Sequence, residues 1–258
     1  MVTLTINGKQ IKAPAGEMLL ETIRRQDIEI PALCHHAAVE PFGACRLCTV
    51  EITRQSWDGW KNYVTSCLFP VEEGLIVQTH SSEVTRIRCT ILDLLLASSP
   101  NSRVIQDLAS EYGILASSYV VDAAGDDCIL CGLCTRVCSE LGMNAIATVE
   151  RGRLKKVDTP FSEPSASCIG CTICAQVCPT GHIRFEERGL KRKIWYKEFK
   201  LIACSECGRS LKLTPEMKQY FSERQQLPED YLEQCADCKQ KQTVDRFNRI
   251  IDRSEEVI

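Results

Sequence analysis

The stretches "CILCGLCTRVC" at residues 128–138 and "CIGCTICAQVC" at residues 168–178 decide how this chain is read. Each runs C-x2-C-x2-C-x3-C, and Pro179 follows the second. A tetrahedral zinc knuckle takes two close cysteines from one loop, so three at this spacing overfill it. Three thiolates on one tight loop suit a larger inorganic core, with a fourth cysteine on the helix that follows. Finding the pattern twice in one chain makes it very specific.

The repeat resembles the two-cluster ferredoxins, in which the fourth cysteine of each motif serves the other cluster. The resemblance implies one [4Fe-4S] cluster on Cys128, Cys131, Cys134 and Cys178. It implies a second on Cys168, Cys171, Cys174 and Cys138. Ser139 stands where the first motif would usually carry proline. The spacer 139–167 is longer than in small ferredoxins. Within it, "AIATVERGRLKKVDTP" reads as a hairpin turning at Arg151-Gly152-Arg153.

Working back toward the start, "VTLTINGKQIKAPAGEMLLETIRRQ" opens with Val2, Leu4 and Ile6 in alternation, then an Asn7-Gly8 turn and a second strand from Ile11. Met18, Leu19 and Ile23 then recur at helical spacing. A hairpin followed by a helix is how a β-grasp fold begins. Cys34, Cys45, Cys48 and Cys67 follow as C-x10-C-x2-C-x18-C, with Gly43 and Ala44 just before the close pair. Small residues let a backbone curl around a cluster and point its amides at sulfur. The strand "CTVEI" comes directly after. A zinc site or plain core thiols are the alternatives. The order, spacing and strand context over residues 1–70 resemble the [2Fe-2S] domain of the large iron–sulfur subunit of respiratory complex I. The small diaphorase subunit of NAD-reducing hydrogenases and many iron-only hydrogenases open in the same way.

In those families a third cluster, held by one histidine and three cysteines, follows a helix ending "LLLA". Here "VTRIRCTILDLLLASSP" supplies the helix, with Val84, Ile87, Ile91 and Leu95 at helical spacing. The chain then reads Ser98-Ser99-Pro100-Asn101, and no His or Cys occurs from 90 to 127. The scaffold is kept and the ligand set of that third cluster is absent. "SRVIQDLASEYGI" reads as a short helix ending near Gly113 that fills the space. Cys89, left over on the first of these helices, reads as a core thiol. His35 and His36 read as solvated or hydrogen-bonded, and His80 as a poor echo of a lost ligand. His182 reads as structural.

Cys204, Cys207, Cys235 and Cys238 form two C-x2-C knuckles with Gly208 after the first. Paired knuckles suit a structural zinc; a rubredoxin-type iron or a third [4Fe-4S] cluster are the rivals. Thr214-Pro215-Glu216 marks a helix start, as N-cap, first-turn proline and first-turn acid. "LPEDYLEQ" reads as another. The locally basic "RGLKRKIWYKEFK", residues 188–200, reads as a solvated strand pair, or as contact with an acidic partner subunit.

The architecture expected is α+β: a β-grasp [2Fe-2S] ferredoxin domain over 1–80, a helical linker over 81–120, a two-[4Fe-4S] ferredoxin domain over 121–190, and a four-cysteine, zinc-ribbon-like segment with helices over 191–258. The 258 residues carry a formal charge of −3, so no basic field calls for nucleic acid. No apolar leader opens the chain, and its longest apolar run, "ILDLLLA", is too short to span a bilayer. A cytoplasmic setting is expected, where clustered cysteines bind metal rather than form disulfides. There is no P-loop, dinucleotide fingerprint or nucleophile–base pair. The resemblance therefore implies a non-catalytic electron-transfer subunit of an NAD(P)-linked complex. Its partners would be a flavin-containing NAD(P)-binding subunit and a terminal redox catalyst: a hydrogenase, a formate dehydrogenase or a transhydrogenase. Such an organisation also suits an anaerobic, electron-bifurcating machine. A free-standing ferredoxin-like carrier is the alternative.

Overall fold

The computed structural model describes residues 1–121, 127–228 and 230–255. It divides the chain into two compact units, the first of Met1–Leu141, Thr148–Val157 and Ile173–Ile183, the second of Gly142–Ala147, Asp158–Thr172 and Arg184–Ile258.

The first unit begins with the expected hairpin. Strands β1 (Val2–Ile6) and β2 (Lys9–Ala13) pair antiparallel with Val2 opposite Ala13 and Ile6 opposite Lys9. Asn7 and Gly8 both take positive φ, which is what a two-residue turn needs to match strand twist. Strands β3 (Thr49–Thr53), β4 (Asn62–Thr65) and β5 (Ile76–Gln78) complete a five-stranded sheet in the order β2-β1-β5-β3-β4. Strand β5 runs parallel to β1, so the sheet is mixed. Helix α1 (Leu19–Arg24) lies against it. Leu19, Leu20 and Ile23 on that helix are fully buried with Leu4, Ile6, Val50, Ile52 and Val77. The sheet is β-grasp-like, and its inward alternation carries the core.

Helix α2 (Ser82–Ser98) starts at Ser81, whose hydroxyl accepts from the Val84 amide at 3.4 Å. Its deepest row is Val84, Arg88, Leu92 and Leu96, one position off the apolar row that the sequence pattern marks. The displacement has a physical cause: a charged residue occupies a core position, and a hydropathy pattern reads such a position as outward. Helix α3 (Arg103–Glu111) follows, and Gly113 with φ +78° ends the segment, as expected. Ile105 and Ala109 of α3 are buried against Leu96. An apolar helix contact thus fills the stretch that holds no cysteine.

Helices α4 (Leu133–Glu140) and α5 (Ile173–Gln176) carry the ends of the two ferredoxin-type motifs and pack on each other. Between them in sequence, β6 (Ala147–Val149) and β7 (Lys156–Asp158) pair as a hairpin around a 3₁₀ turn at Gly152–Leu154.

The second unit holds a three-stranded antiparallel sheet of β8 (Glu186–Arg188), β9 (Lys191–Ile194) and β10 (Lys197–Lys200), in the order β10-β9-β8. The basic stretch is therefore only half solvated, because Arg192, Ile194 and Phe199 face inward at 3%, 3% and 2% exposure. Helix α6 (Pro215–Gln225) has the expected start, with the Thr214 hydroxyl accepting from the Met217 amide at 3.1 Å. "LPEDYLEQ" forms one 3₁₀ turn, Asp230–Leu232, rather than a helix, and α7 begins later at Ala236 and runs to Glu255. The delay lets Cys235 turn toward the first knuckle. Among the described residues no helix is long and apolar enough to cross a membrane.

Leu92 sits at 0% exposure in a cluster with Leu47, Leu133 and Val137. Leu92→Ala should cost about 2–5 kcal/mol, read as a fall in the thermal midpoint of the cluster-loaded chain.

Candidate iron–sulfur and metal centres

The first ligand set is built on the β-grasp sheet. Cys34 follows α1, Cys45 and Cys48 lie on the loop entering β3, and Cys67 lies just past β4. All four are at most 6% exposed. The loop can close this tightly because Gly43 takes φ +70°, and a Cβ there would come within 2.4 Å of the Leu68 side chain. The Cys45 amide donates to Cys34 Sγ at 3.4 Å. Ser66 caps the other side, donating its hydroxyl to the Cys48 carbonyl at 2.8 Å.

The thiols meet in two pairs. A hydrogen bond from the Cys45 thiol draws the Cys34 thiol down to about 6, and one from Cys67 draws Cys48 down to about 6. The donors, Cys45 and Cys67, are pushed up, in each case first by that same bond. Two pairs of cysteines, each able to hold one iron, fit a two-iron cluster better than one ion, which needs four sulfurs converging on a point.

The first four-iron set also converges. Cys128, Cys131, Cys134 and Cys178 line one small cavity together with Val157, Thr180, His182 and Ile183. Burial pushes Cys134 up to about 12, and burial also raises Cys131. Such thiols give up their protons to a bound cation rather than to water. The two motifs share one backbone device: Leu130 and Gly132 in the first, and Gly170 and Thr172 at the same positions of the second, all have positive φ. Each loop is bent twice in the same places. Thr180 and His182 were not marked as neighbours of this cavity by sequence reasoning; the C-P-T run after the motif was the available signal, since the Thr180 hydroxyl lies 3.6 Å from Cys178 Sγ.

Of the remaining cysteines of these motifs, Cys138 lies on α4, Cys174 on α5, and Cys168 and Cys171 on the loop that precedes α5. That loop is braced by the basic strands. Lys197 donates to the Cys168 carbonyl at 2.8 Å, Arg192 donates to the Gly170 carbonyl, and the Phe199 ring lies where a Cβ on Gly170 would meet it at 2.9 Å.

In the C-terminal group, the sulfurs of Cys204, Cys207, Cys235 and Cys238 all lie within 4.8 Å of one another. Cys207 and Cys235 are 3.8 Å apart. The Cys235 amide donates to Cys204 Sγ at 3.3 Å, and Gly208 with φ +71° turns its amide onto the Cys204 carbonyl at 2.9 Å. The amides of Cys235 and Cys207 hold the Cys204 thiol down to about 6. Arg209, paired with Asp237 at 2.9 Å, bonds to the Cys207 sulfur.

His35, His36 and His80 are hydrogen-bonded, whereas Cys89, expected as a core thiol, is only partly buried. His35 bonds Arg24 and pairs with Glu21, His36 accepts from the Ala38 amide, and His80 bonds Thr79. Cys89 is half-buried, with its sulfur 3.9 Å from the Tyr112 carbonyl.

Residues 1–82 match the 2Fe-2S iron-sulfur cluster binding domain, and residues 122–185 match the 4Fe-4S dicluster domain. The chain is a 2Fe-2S plus 4Fe-4S dicluster protein. This dicluster protein is 34% identical to NADPH-Fe(3+) oxidoreductase subunit alpha of Geobacter sulfurreducens, over 70% of this chain and 24% of that one. It is 29% identical to a subunit of an NADH-quinone oxidoreductase of Rhizobium meliloti, over 83% of this chain and 27% of that one. It spans about a quarter of the length of these relatives. Among solved structures, a chain of a NAD+-reducing [NiFe]-hydrogenase in the H2-reduced state superimposes with a TM-score of 0.59 at 28% identity, covering 70% of this chain and 86% of that one.

Gly43→Ala should strain the loop and lower [2Fe-2S] occupancy in the dicluster protein, read as less of that electron paramagnetic resonance signal per chain. Cys48→Ser should abolish the signal and leave dithionite reduction of the four-iron pair intact.

Proposed function

We propose that this chain is the electron-transfer iron–sulfur subunit of an NAD(P)-linked multisubunit oxidoreductase. The observation that carries the reading is one shared core: Cys34 and Cys45 of the two-iron set are buried together with Cys131 of the first four-iron set, with Leu47, Leu92, Leu133 and Val137 around them. Arg136 ties the same two sites. It stands on α4 between Cys134 and Cys138, donates to the Cys34 carbonyl at 2.8 Å, and lies over the Phe42 ring. When bound, the clusters supply one-electron chemistry. The chain's own residues hold them close, exclude water from them and fix their cages, so little moves when charge changes.

Cys34, Cys45, Cys48 and Cys67 hold the [2Fe-2S] cluster in this reading. Cys128, Cys131, Cys134 and Cys178 hold one [4Fe-4S] cluster; Cys168, Cys171, Cys174 and Cys138 hold the other. A flavin-containing NAD(P)-binding subunit stands on one side and a terminal redox catalyst on the other. The relatives support a link between a nicotinamide nucleotide and a second redox partner, since their names pair such nucleotides with iron, quinone and hydrogenase chemistry.

The C-terminal group holds one structural zinc. Four sulfurs about 2.3 Å from a tetrahedral centre stand about 3.8 Å apart, which matches the 3.8 Å between Cys207 and Cys235. A four-iron cube sits inside its ligands and would spread them farther. Zinc has no redox chemistry, so this group staples the first knuckle to the start of α7 instead of extending the relay.

Metal analysis of the anaerobically purified chain should give about ten iron and about one zinc. About fourteen iron without zinc would make the C-terminal group a fourth cluster. Cys207→Ser should lose the zinc and keep the iron. In native extract the chain should co-elute with a flavoprotein; elution alone would point to a free carrier.

A further inference from the structure

Arg88 is fully buried on α2, in the row of Val84, Leu92 and Leu96. Its Nε donates to the Leu47 carbonyl at 3.0 Å and its Nη2 to the Thr49 carbonyl at 2.9 Å. Those two carbonyls flank Cys48. Its Nη1 reaches the Tyr112 hydroxyl at 3.4 Å. The fork is therefore satisfied as a hydrogen-bond donor, but not as a charge. Among the described residues no carboxylate forms an ion pair with it. The nearby His80 can offer no negative charge, and burial first and the Arg88 charge second hold it toward its neutral form.

A guanidinium does not shed its proton inside a protein. Burying one without an anion is costly, and a purely structural brace across two carbonyls could be made by a neutral side chain. The charge needs a partner, and the group that belongs beside Cys48 is an anion. A two-iron, two-sulfide core held by four thiolates is negative when oxidised, and more so by one unit when reduced.

We propose that Arg88 is the buried counter-ion of the [2Fe-2S] cluster and sets its reduction potential. This rests on the assignment of Cys34, Cys45, Cys48 and Cys67 to that cluster. The fixed positive charge favours the reduced form, which carries the extra electron, and so raises the midpoint potential. It lies in the interior, where added salt screens it little. Arg88 acts through the Leu47–Thr49 segment and through space; it touches neither donor nor acceptor.

The test is a dithionite redox titration of the full chain, followed by the [2Fe-2S] paramagnetic signal, in wild type, Arg88→Lys and Arg88→Gln. Gln keeps a donor for the carbonyls and removes the charge; Lys keeps the charge and loses the fork. The expected result is a lower midpoint potential in Arg88→Gln, with Arg88→Lys near wild type. Loss of the cluster in Gln with retention in Lys would equally show that charge is what the site requires. Equal potentials in all three proteins, an equal shift in both variants, or failure of both to hold the cluster would overturn the proposal. A wild-type chain with no [2Fe-2S] signal would overturn the ligand assignment beneath it.

Discussion

The structure depends on burying sulfur. Three cysteines that the proposed function assigns to two different ligand sets, Cys34, Cys45 and Cys131, sit in one apolar cluster closed by Leu47, Leu92, Leu133 and Val137. Burial raises Cys131 and its neighbour Cys134, whereas the hydrogen bond from the Cys45 thiol draws Cys34 down. A bound cation, backed by amides and fixed positive groups, stabilises such cysteines as thiolates. That requirement accounts for the loop glycine at Gly43, the doubled left-handed bends of the two ferredoxin-type motifs, and the arginines that hold carbonyls beside the ligands. Arg88, Arg136 and Arg192 stand on three different elements, yet each donates to the backbone of a cysteine-bearing loop.

Much of this was legible in the sequence because cysteine spacing is a strong code. The two C-x2-C-x2-C-x3-C motifs, the C-x10-C-x2-C-x18-C set and the paired knuckles each point to a distinct metal arrangement without help from packing. The hairpin at Asn7-Gly8 and the N-cap at Thr214 were equally clear, since each rests on local chemistry. The absence of His and Cys from 90 to 127 was equally plain, and within it Leu96, Ile105 and Ala109 pack apolar surface.

The parts that were not legible are those set by burial of charge. Arg88 falls outside the apolar row of Val84, Ile87, Ile91 and Leu95, yet the row that contains it lies deepest, with the guanidinium on carbonyls of the cysteine loop. The run "RGLKRKIWYKEFK" reads as solvated, yet Arg192 turns inward onto Gly170, Lys212 and Glu187. Sequence pattern treats a charged residue as a vote for the surface. Beside loops that carry anionic sulfur that vote reverses. The turn at Asp230–Leu232 departs from the expected helix for a different reason: the convergence of Cys235 on Cys204 demands a bend first.

The central claim is that the two-iron and first four-iron sites form one continuous electron path through a shared core. It is tested most directly by the magnetic interaction between the two clusters. In the fully reduced chain, the [2Fe-2S] paramagnetic signal should relax faster than in a Cys134→Ser variant that lacks an intact neighbouring cluster. Identical relaxation in the two proteins, with both clusters shown to be present and reduced in the wild type, would contradict the account.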